Sequence, residues 1–241
     1  MASDGTPRVS TWGMEIPELF RDQRFVVLDK PAGLKVHGGP GGGPSVEDVF
    51  PQLSKRKDGP WLAHRLDADT AGCLVVALRK AALLAAQAEF AGGRAHKTYW
   101  AVVPGGPGAD HGIIDIPLRK IARAGGWRME GHEAGDPSVT EWTVLGRGAG
   151  MAWLELRPRT GRTHQIRVHC ALLGCAILGD PLYSIHSSDP PRPGSSTPLQ
   201  LLARAIRLDL VPPLAAAAPV PPHMRAAIAA CSQGGASLND R

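Results

Sequence analysis

Two segments of the 241-residue chain concentrate side chains that can do chemistry. The first is Trp61-Leu62-Ala63-His64-Arg65-Leu66-Asp67-Ala68-Asp69-Thr70-Ala71-Gly72, which feeds straight into the apolar run Cys73–Leu78. A loop carried by a rigid strand can hold a catalytic carboxylate in one geometry. The second is Arg157-Pro158-Arg159-Thr160-Gly161-Arg162-Thr163-His164-Gln165-Ile166-Arg167-Val168-His169. From Leu156 to Leu178 it offers Arg157, Arg159, Arg162 and Arg167 and no acidic residue. Such a stripe can hold phosphates and concentrate RNA or DNA by counterion release; a solvated arginine-rich turn is the plainer reading. His64, His164 and His169 come without a His-Glu-x-x-His pattern or a cysteine pair at ligand spacing, so they read as structural or RNA-facing groups and no metal is expected. Asp69 reads as a loop or capping residue, and Tyr99 on its own as a half-buried strand tyrosine.

The elements that must position these groups follow from periodicity. Phe25–Lys30 reads as a strand stopped by Pro31-Ala32-Gly33. Ser45 caps a short helix through Phe50, with Glu47 and Asp48 in its first turn. Cys73–Leu78 is a continuous, partly β-branched apolar run, the mark of a strand buried on both faces. Residues 80–91 form an alanine- and leucine-rich helix stopped by Gly92-Gly93. Tyr99–Val103, Val139–Leu145 and Met151–Leu156 read as further strands. Thr163–Leu173 has helix length: His164, Arg167, Val168 and Ala171 share one face, while Ile166, Cys170 and Leu173 form the core side. Arg167 thus falls at the edge of the core, where it could pair with a buried carboxylate. Gly38–Gly43 lacks a phosphate-loop ending and reads as a flexible loop, and 184–198 as a Ser/Pro-rich surface loop. Residues 1–14 and 229–241 read as tails around one domain at 15–228. Strands scattered among helices without regular alternation favour an α+β fold.

Composition sets the outer bounds. Hydrophobic residues are 43% and charged residues 20%, enough for a packed core and against global disorder. The apolar runs are too short to span a bilayer, and Met1-Ala2-Ser3-Asp4 opens no signal pattern. Four cysteines, none as Cys-x-x-Cys, argue against a disulfide scaffold or structural zinc; Cys170 and Cys175 read as packing thiols. A cytoplasmic, soluble, monomeric protein is expected. The net charge of +5 is modest, so placement of charge says more than its sum.

Four ordered signatures resemble the RluA-type family of ribosomal and transfer RNA pseudouridine synthases, from about Phe20 to Met224. Val27-Leu28-Asp29-Lys30-Pro31-Ala32-Gly33-Leu34 with Val36-His37 resembles the opening strand and turn. His64-Arg65-Leu66-Asp67 with Thr70-Ala71-Gly72 resembles the catalytic loop, and Lys97-Thr98-Tyr99 with Ala101-Val102-Val103 the tyrosine strand. Arg159 to His169, then Ile177-Leu178-Gly179-Asp180-Pro181-Leu182-Tyr183, resembles the third motif. Ala71 departs from the family's usual serine and Arg204 from its frequent histidine. The chain before Phe20 is too short for the accessory RNA-binding domain of many relatives, so recognition would rest on the catalytic domain.

The resemblance implies a central mixed, largely antiparallel sheet flanked by helices and loops, with a basic cleft. It implies Asp67 as the catalytic aspartate, Tyr99 as the base platform and Arg167 as the salt-bridge partner of Asp67. Arg65 would occupy the space left by the flipped nucleotide; His64, Arg162, His164, Gln165 and Leu201 (or Leu202) would meet substrate. The reaction breaks an N-glycosidic bond, turns the uracil and rejoins it through carbon, so no cofactor is expected. A carboxylate can attack or stabilise the sugar, as in glycosidases, and an adjacent guanidinium favours its charged form. Flipping the base costs roughly a few kcal/mol, and stacking can return roughly 1–3 kcal/mol. A non-catalytic RNA-binding or assembly factor with the same fold is the second reading; a glycosidase, which would release free base, is the third.

Overall fold

The structure, a computed structural model, describes residues 15–39, 42–56, 58–123, 126–184 and 197–232. Along the chain these form β1 (Glu18–Arg21), β2 (Phe25–Lys30), a 3-10 turn at Val46–Val49, α1 (Phe50–Leu53), β3 (Trp61–Leu62), β4 (Ala71–Ala77) and α2 (Lys80–Ala91). Then follow β5 (His96–Pro104), β6 (His111–Asp115), β7 (Leu118–Arg123), β8 (Gly126–Gly131), β9 (Val139–Gly148), β10 (Met151–Pro158) and α3 (Gln165–Leu172). The described chain ends with β11 (Leu201–Leu208), β12 (Leu214–Ala217) and α4 (Pro222–Ser232). The fold is α+β, as the lack of regular alternation implies. Two compact units divide it, one of residues 1–95 with 205–219 and one of 96–204 with 220–241.

In the first unit β2 pairs antiparallel with β1 and β4, in a register that sets Lys30 opposite Gly72. Every residue of β4 is buried, as expected of an apolar run covered on both faces. α2 follows the sequence expectation to the residue and stops at Gly92-Gly93, the second glycine at φ 68°. Ser45 and Asp48 form a reciprocal cap on the short turn before α1, so the expected helix forms as a 3-10 segment first. Lys35 and Ser45 bridge in parallel across the glycine cluster, of which Pro40 and Gly41 lie outside the described residues.

In the second unit β5, β10, β9 and β6 pair antiparallel in that order, and β7 pairs with β8 as a separate ribbon. Ala149 (φ 51°) and Gly150 (φ 71°) make the tight turn between β9 and β10. The core of this unit gathers Ala101, Val103, Trp142, Leu154, Leu156, Ile166, Cys170 and Ile177. α3 is packed on both flanks rather than one: Ile166 and Cys170 enter that core, while Val168 packs with Leu118, Met129 and Tyr183. The reason is the β7–β8 ribbon, whose apolar root supplies a second cluster that helical spacing alone does not reveal.

The expected tail after Ile228 is instead the end of α4, which buries Met224, Ile228 and Cys231 at spacings of four and three. Gly146 and Gly148 admit it against β9. A Cβ at Gly148 would stand 2.0 Å from the Ala230 carbonyl oxygen, and one at Gly146 2.7 Å from that of Cys231. Residues 1–14, most of the 184–198 loop and the chain from 233 onward lie outside the described residues.

Candidate active site

The loop bearing Asp67 is fixed from beneath. β3 pairs with β4, and the Ala63 N–H donates to the Val75 carbonyl (3.0 Å). His64 closes the same corner: its Nε2 accepts the Val75 N–H at 3.0 Å, and its ring lies 4.9 Å from that of Phe90. Accepting at Nε2 places the proton of neutral His64 on Nδ1. A turn follows, with the Thr70 N–H donating to the Asp67 carbonyl (3.1 Å). Leu66 and Thr70 point into the protein, Asp67 is half-buried, and Arg65 and Asp69 are exposed.

Lys30 locks this turn to the one after β2. Its side chain is wholly buried, and Nζ donates to the carbonyls of Pro31 (2.9 Å), Leu34 (2.7 Å) and Ala68 (2.7 Å). An ammonium has three protons, and each has an acceptor. The Gly33 N–H meets the same Ala68 carbonyl at 2.9 Å, from a residue at φ 84° that favours glycine. Burial pulls the Lys30 pKa down to about 8, against the opposing pull of Asp69 and Asp67. A cation thus sits under the carboxylates of the loop, at the end of an apolar strand.

In the second unit the turn at Thr160–His164 is held by a directional chain of hydrogen bonds. The Val139 N–H donates to Thr160 Oγ1 (3.1 Å), and the Thr160 hydroxyl donates to Gln165 Oε1 (2.7 Å), which also accepts the Arg162 N–H (3.0 Å). Gln165 Nε2 donates to the Val139 carbonyl and to Thr140 Oγ1, both at 3.0 Å. The Thr140 hydroxyl then reaches His169 Nδ1 (2.8 Å), and His169 Nε2 donates to the Ile116 carbonyl (3.1 Å). Burial lowers the His169 pKa, consistent with this neutral tautomer. From β5, Lys97 Nζ donates to the Thr160 carbonyl (2.7 Å), and burial brings its pKa down to about 8. Tyr99 lies two residues along the same strand, opposite Leu156 and packed against the core.

Arg167 is 3% exposed and forms a two-pronged pair with Asp180: Nε to Oδ2 at 2.7 Å and Nη2 to Oδ1 at 2.8 Å. Asp180 is thus a buried carboxylate partner of Arg167 within this unit. Asp180 Oδ1 also accepts the N–H groups of Leu182 (2.8 Å) and Tyr183 (3.1 Å). Arg167 lies over the Tyr183 ring at 5.2 Å, so the guanidinium is held at its edge and on its face.

The residues expected to meet substrate are placed as follows. Gln165 is buried and its side-chain amide is engaged in the turn, which it supports. Leu201 is 2% exposed and belongs to the core of the second unit, a packing position; Leu202 is buried as well. Arg162 is exposed and donates to the Pro137 carbonyl at 3.1 Å. His164 adopts φ 54° at the start of α3, bonds Tyr183 Oη through Nδ1 (2.8 Å) and stacks on Trp127. The arginine stripe is partly offset: Arg157 pairs with Glu155 and Arg159 with Glu141, a neighbour across the β9–β10 ladder.

Lys30, Lys97 and Asp180 went unassigned in the sequence. The legible signal for Lys30 was a lysine closing an apolar strand just before a proline; Lys97 and Asp180 stood inside quoted motifs with nothing to mark them as buried. Among the described residues no cluster of His, Cys, Asp or Glu could hold a metal, and no helix is long and apolar enough to cross a membrane.

In the first unit the Asp67 carboxylate stands on a loop clamped by a buried ammonium, and in the second the Arg167 guanidinium is held for planar contact with Asp180. Residues 24–172 match the family described as RNA pseudouridylate synthase. The chain is 41% identical over 174 residues to an uncharacterized RNA pseudouridine synthase, ZMO0505, of Zymomonas mobilis, covering 71% of this chain and 80% of that protein. It is 36% identical over 191 residues to the mitochondrial pseudouridylate synthase RPUSD4 of Bos taurus, covering 69% of this chain and 51% of that one. The solved structure of human RNA pseudouridylate synthase domain containing 4 superposes with a TM-score of 0.72 at 30% identity, covering 86% of this chain and 89% of that chain. The chain belongs to the RNA pseudouridine synthase family, enzymes that isomerise uridine in RNA.

Proposed function

We propose that this chain converts particular uridines of structured ribosomal or transfer RNA to pseudouridine, with Asp67 as the catalytic carboxylate and without a cofactor. The observation that carries the reading is the clamp on the Asp67 turn: Lys30 ties it to the neighbouring turn through a buried ammonium. Arrangement of this kind fixes a carboxylate before substrate arrives, so little reorganisation is left for the reaction.

In the reaction the bond between C1′ and N1 breaks, the uracil turns, C5 bonds to C1′, the C5 proton is lost and N1 takes up a proton, which completes a redox-neutral isomerisation with no net change of atoms. Asp67 acts at the sugar or base during bond exchange, and Arg167 supports its negative charge. Tyr99 supplies a π-face for the extruded base, and exposed Arg65, two residues before Asp67, fills the space the base leaves. Arg162, His64 and His164 belong to the margin that meets the surrounding RNA. A cytoplasmic, monomeric enzyme is part of the same proposal.

The test uses the purified chain and Asp67→Asn with unmodified total RNA, followed by mapping of pseudouridine at single-nucleotide resolution. New pseudouridine with the parent and none with the variant is expected. No pseudouridine from the parent, despite RNA binding, would turn the reading towards a binding or assembly factor. Free uracil among the products would turn it towards a hydrolase.

A further inference from the structure

Lys30 and Lys97 are both drawn into the protein by the strands that bear them, but only one is fully engaged. Lys30 is wholly enclosed, and each of its three protons has a carbonyl. Lys97 Nζ donates to the Thr160 carbonyl at 2.7 Å, and among the described residues its other two protons meet no acceptor. Nor does any carboxylate among the described residues pair with it. At Lys30, Asp69 and Asp67 oppose the fall in pKa, whereas at Lys97 burial brings the value to about 8 with nothing opposing it. At pH 7 Lys97 is therefore an ammonium that has lost hydration and gained no counter-charge, the condition in which an anion is most strongly held.

The turn beside it leaves the ammonium open. Gly161 is exposed, and a Cβ there would stand 3.6 Å from Lys97 Nζ. Apart from the glycine's chain neighbours, no other atom of the described residues lies within 4 Å of that point. Any side chain at position 161 would thus lie over the ammonium, and glycine keeps the approach clear. The neighbouring guanidiniums are directed elsewhere: Arg159 pairs with Glu141, and Arg162 donates to the Pro137 carbonyl at 3.1 Å.

The strand fixes what stands next to this opening. Lys97 and Tyr99 are separated by Thr98 on β5, so they share a face of the strand. Two residues of strand put them roughly 7 Å apart, of the same order as the span from a nucleotide's phosphate to its base.

We propose that Lys97 Nζ, left uncovered by Gly161, binds a backbone phosphate of the RNA beside the base carried by Tyr99. This deepens the proposed function and rests on it for the identity of the polyanion. A compact ammonium suits the role, because a phosphate oxygen can meet its spare protons from the open side while the third stays on Thr160. The contact supplies affinity and register without reading sequence.

The experiment measures binding of a fluorescein-labelled, unmodified RNA stem-loop across a salt series at pH 7. The proteins are the parent chain, Lys97→Gln, Gly161→Leu and, as a control, Arg225→Gln on the exposed side of α4. Lys97→Gln keeps an N–H for the Thr160 carbonyl and removes the charge; Gly161→Leu keeps the charge and covers it. Loss of one phosphate contact flattens the slope of log K against log salt by about 0.7–0.9, which raises Kd about 5-fold at 0.15 M relative to 1 M salt. Both variants are expected to show this, and the control keeps the parent slope. Gly161 is exposed and outside the left-handed region, so Gly161→Leu keeps the test open should Lys97→Gln not fold. The parent slope in both variants overturns the contact. So does a loss seen in Lys97→Gln and not in Gly161→Leu, which leaves Lys97 as a brace for the Thr160 turn. Pseudouridine formation is followed in parallel on unmodified total RNA. A parent that makes none, while both variants still flatten the slope, sinks the proposed reaction and leaves the phosphate contact standing.

Discussion

Asp180 sets a quantitative test of how the guanidinium of Arg167 is held. The pair is almost wholly buried, with side-chain exposures of 4% and 0%. Asp180→Asn keeps an oxygen that can accept the Leu182 and Tyr183 N–H groups but takes away the charge opposite Arg167. Removing one member of a buried ion pair costs about 3–5 kcal/mol, because the remaining ion keeps its desolvation penalty. Asp180→Ala also strands the two N–H groups, each worth about 1–3 kcal/mol when buried without an acceptor. A domain of this size has roughly 5–15 kcal/mol in all, so the alanine variant stands near the edge of folding. The double variant Arg167→Met/Asp180→Asn removes both charges and retains the acceptor. A buried pair replaced by apolar bulk is often neutral, so the double variant returns to within about 2 kcal/mol of the parent. Urea unfolding followed by circular dichroism gives the three values, and pseudouridine formation gives the activity. The double variant is expected to be stable and inactive, which separates the role of Arg167 in folding from its proposed role in catalysis. A loss below about 1 kcal/mol for Asp180→Asn, or a double variant no more stable than the single, refutes the reasoning.

Two further outcomes follow from the buried polar groups. The Lys30 pKa, about 8 in the fold against 10.5 for a free lysine, means the unfolded chain binds more protons between those values. Stability from this group therefore rises as pH rises through that window, by on the order of 3 kcal/mol. The difference in unfolding free energy between the parent and Lys30→Met should widen accordingly from pH 8 to 10.5; a flat difference contradicts the burial argument. Gln165→Leu leaves the Thr160 hydroxyl and the Arg162 N–H without their common acceptor and is expected to cost about 2–4 kcal/mol in urea unfolding. An unchanged midpoint would show that water or a neighbour replaces the amide.

What the sequence disclosed depended on whether the physics was local. β2 runs over Phe25–Lys30 and α2 over Lys80–Ala91, because apolar runs and glycine stops act within a few residues. The Asp67 loop was likewise legible, a polar stretch joined to an apolar strand. Long-range pairing hid the rest. The β7–β8 ribbon has no clear alternation, and its root is buried only because α3 and Tyr183 lie against it. α4 reads as an alanine-rich tail until Gly146 and Gly148, some eighty residues earlier, open the space for it. The arginine stripe looked unopposed because Glu141, on the adjacent strand, is distant in the chain.

The residues whose supporting role the linear pattern hid share one property, and it bears on how such a site is built. Gln165 is polar, buried and fully hydrogen-bonded, and so are Asp180 and Lys30, which the sequence left without a role. Nothing in a linear pattern distinguishes a polar side chain that faces substrate from one that faces a carbonyl beneath it. The distinction matters chemically. A group that meets RNA must keep some hydrogen-bonding capacity in reserve, whereas Lys30 and Gln165 have spent theirs on backbone and hydroxyl partners. Their contribution is to leave the exposed groups few conformations. Lys30 restrains the turn that carries Arg65 and Asp67; Gln165 restrains the turn that carries Arg162 and His164. Asp180 aims Arg167. A motif that mixes both kinds of residue at one- and two-residue spacing joins each exposed group to its support through the backbone, and the support must be buried to hold it.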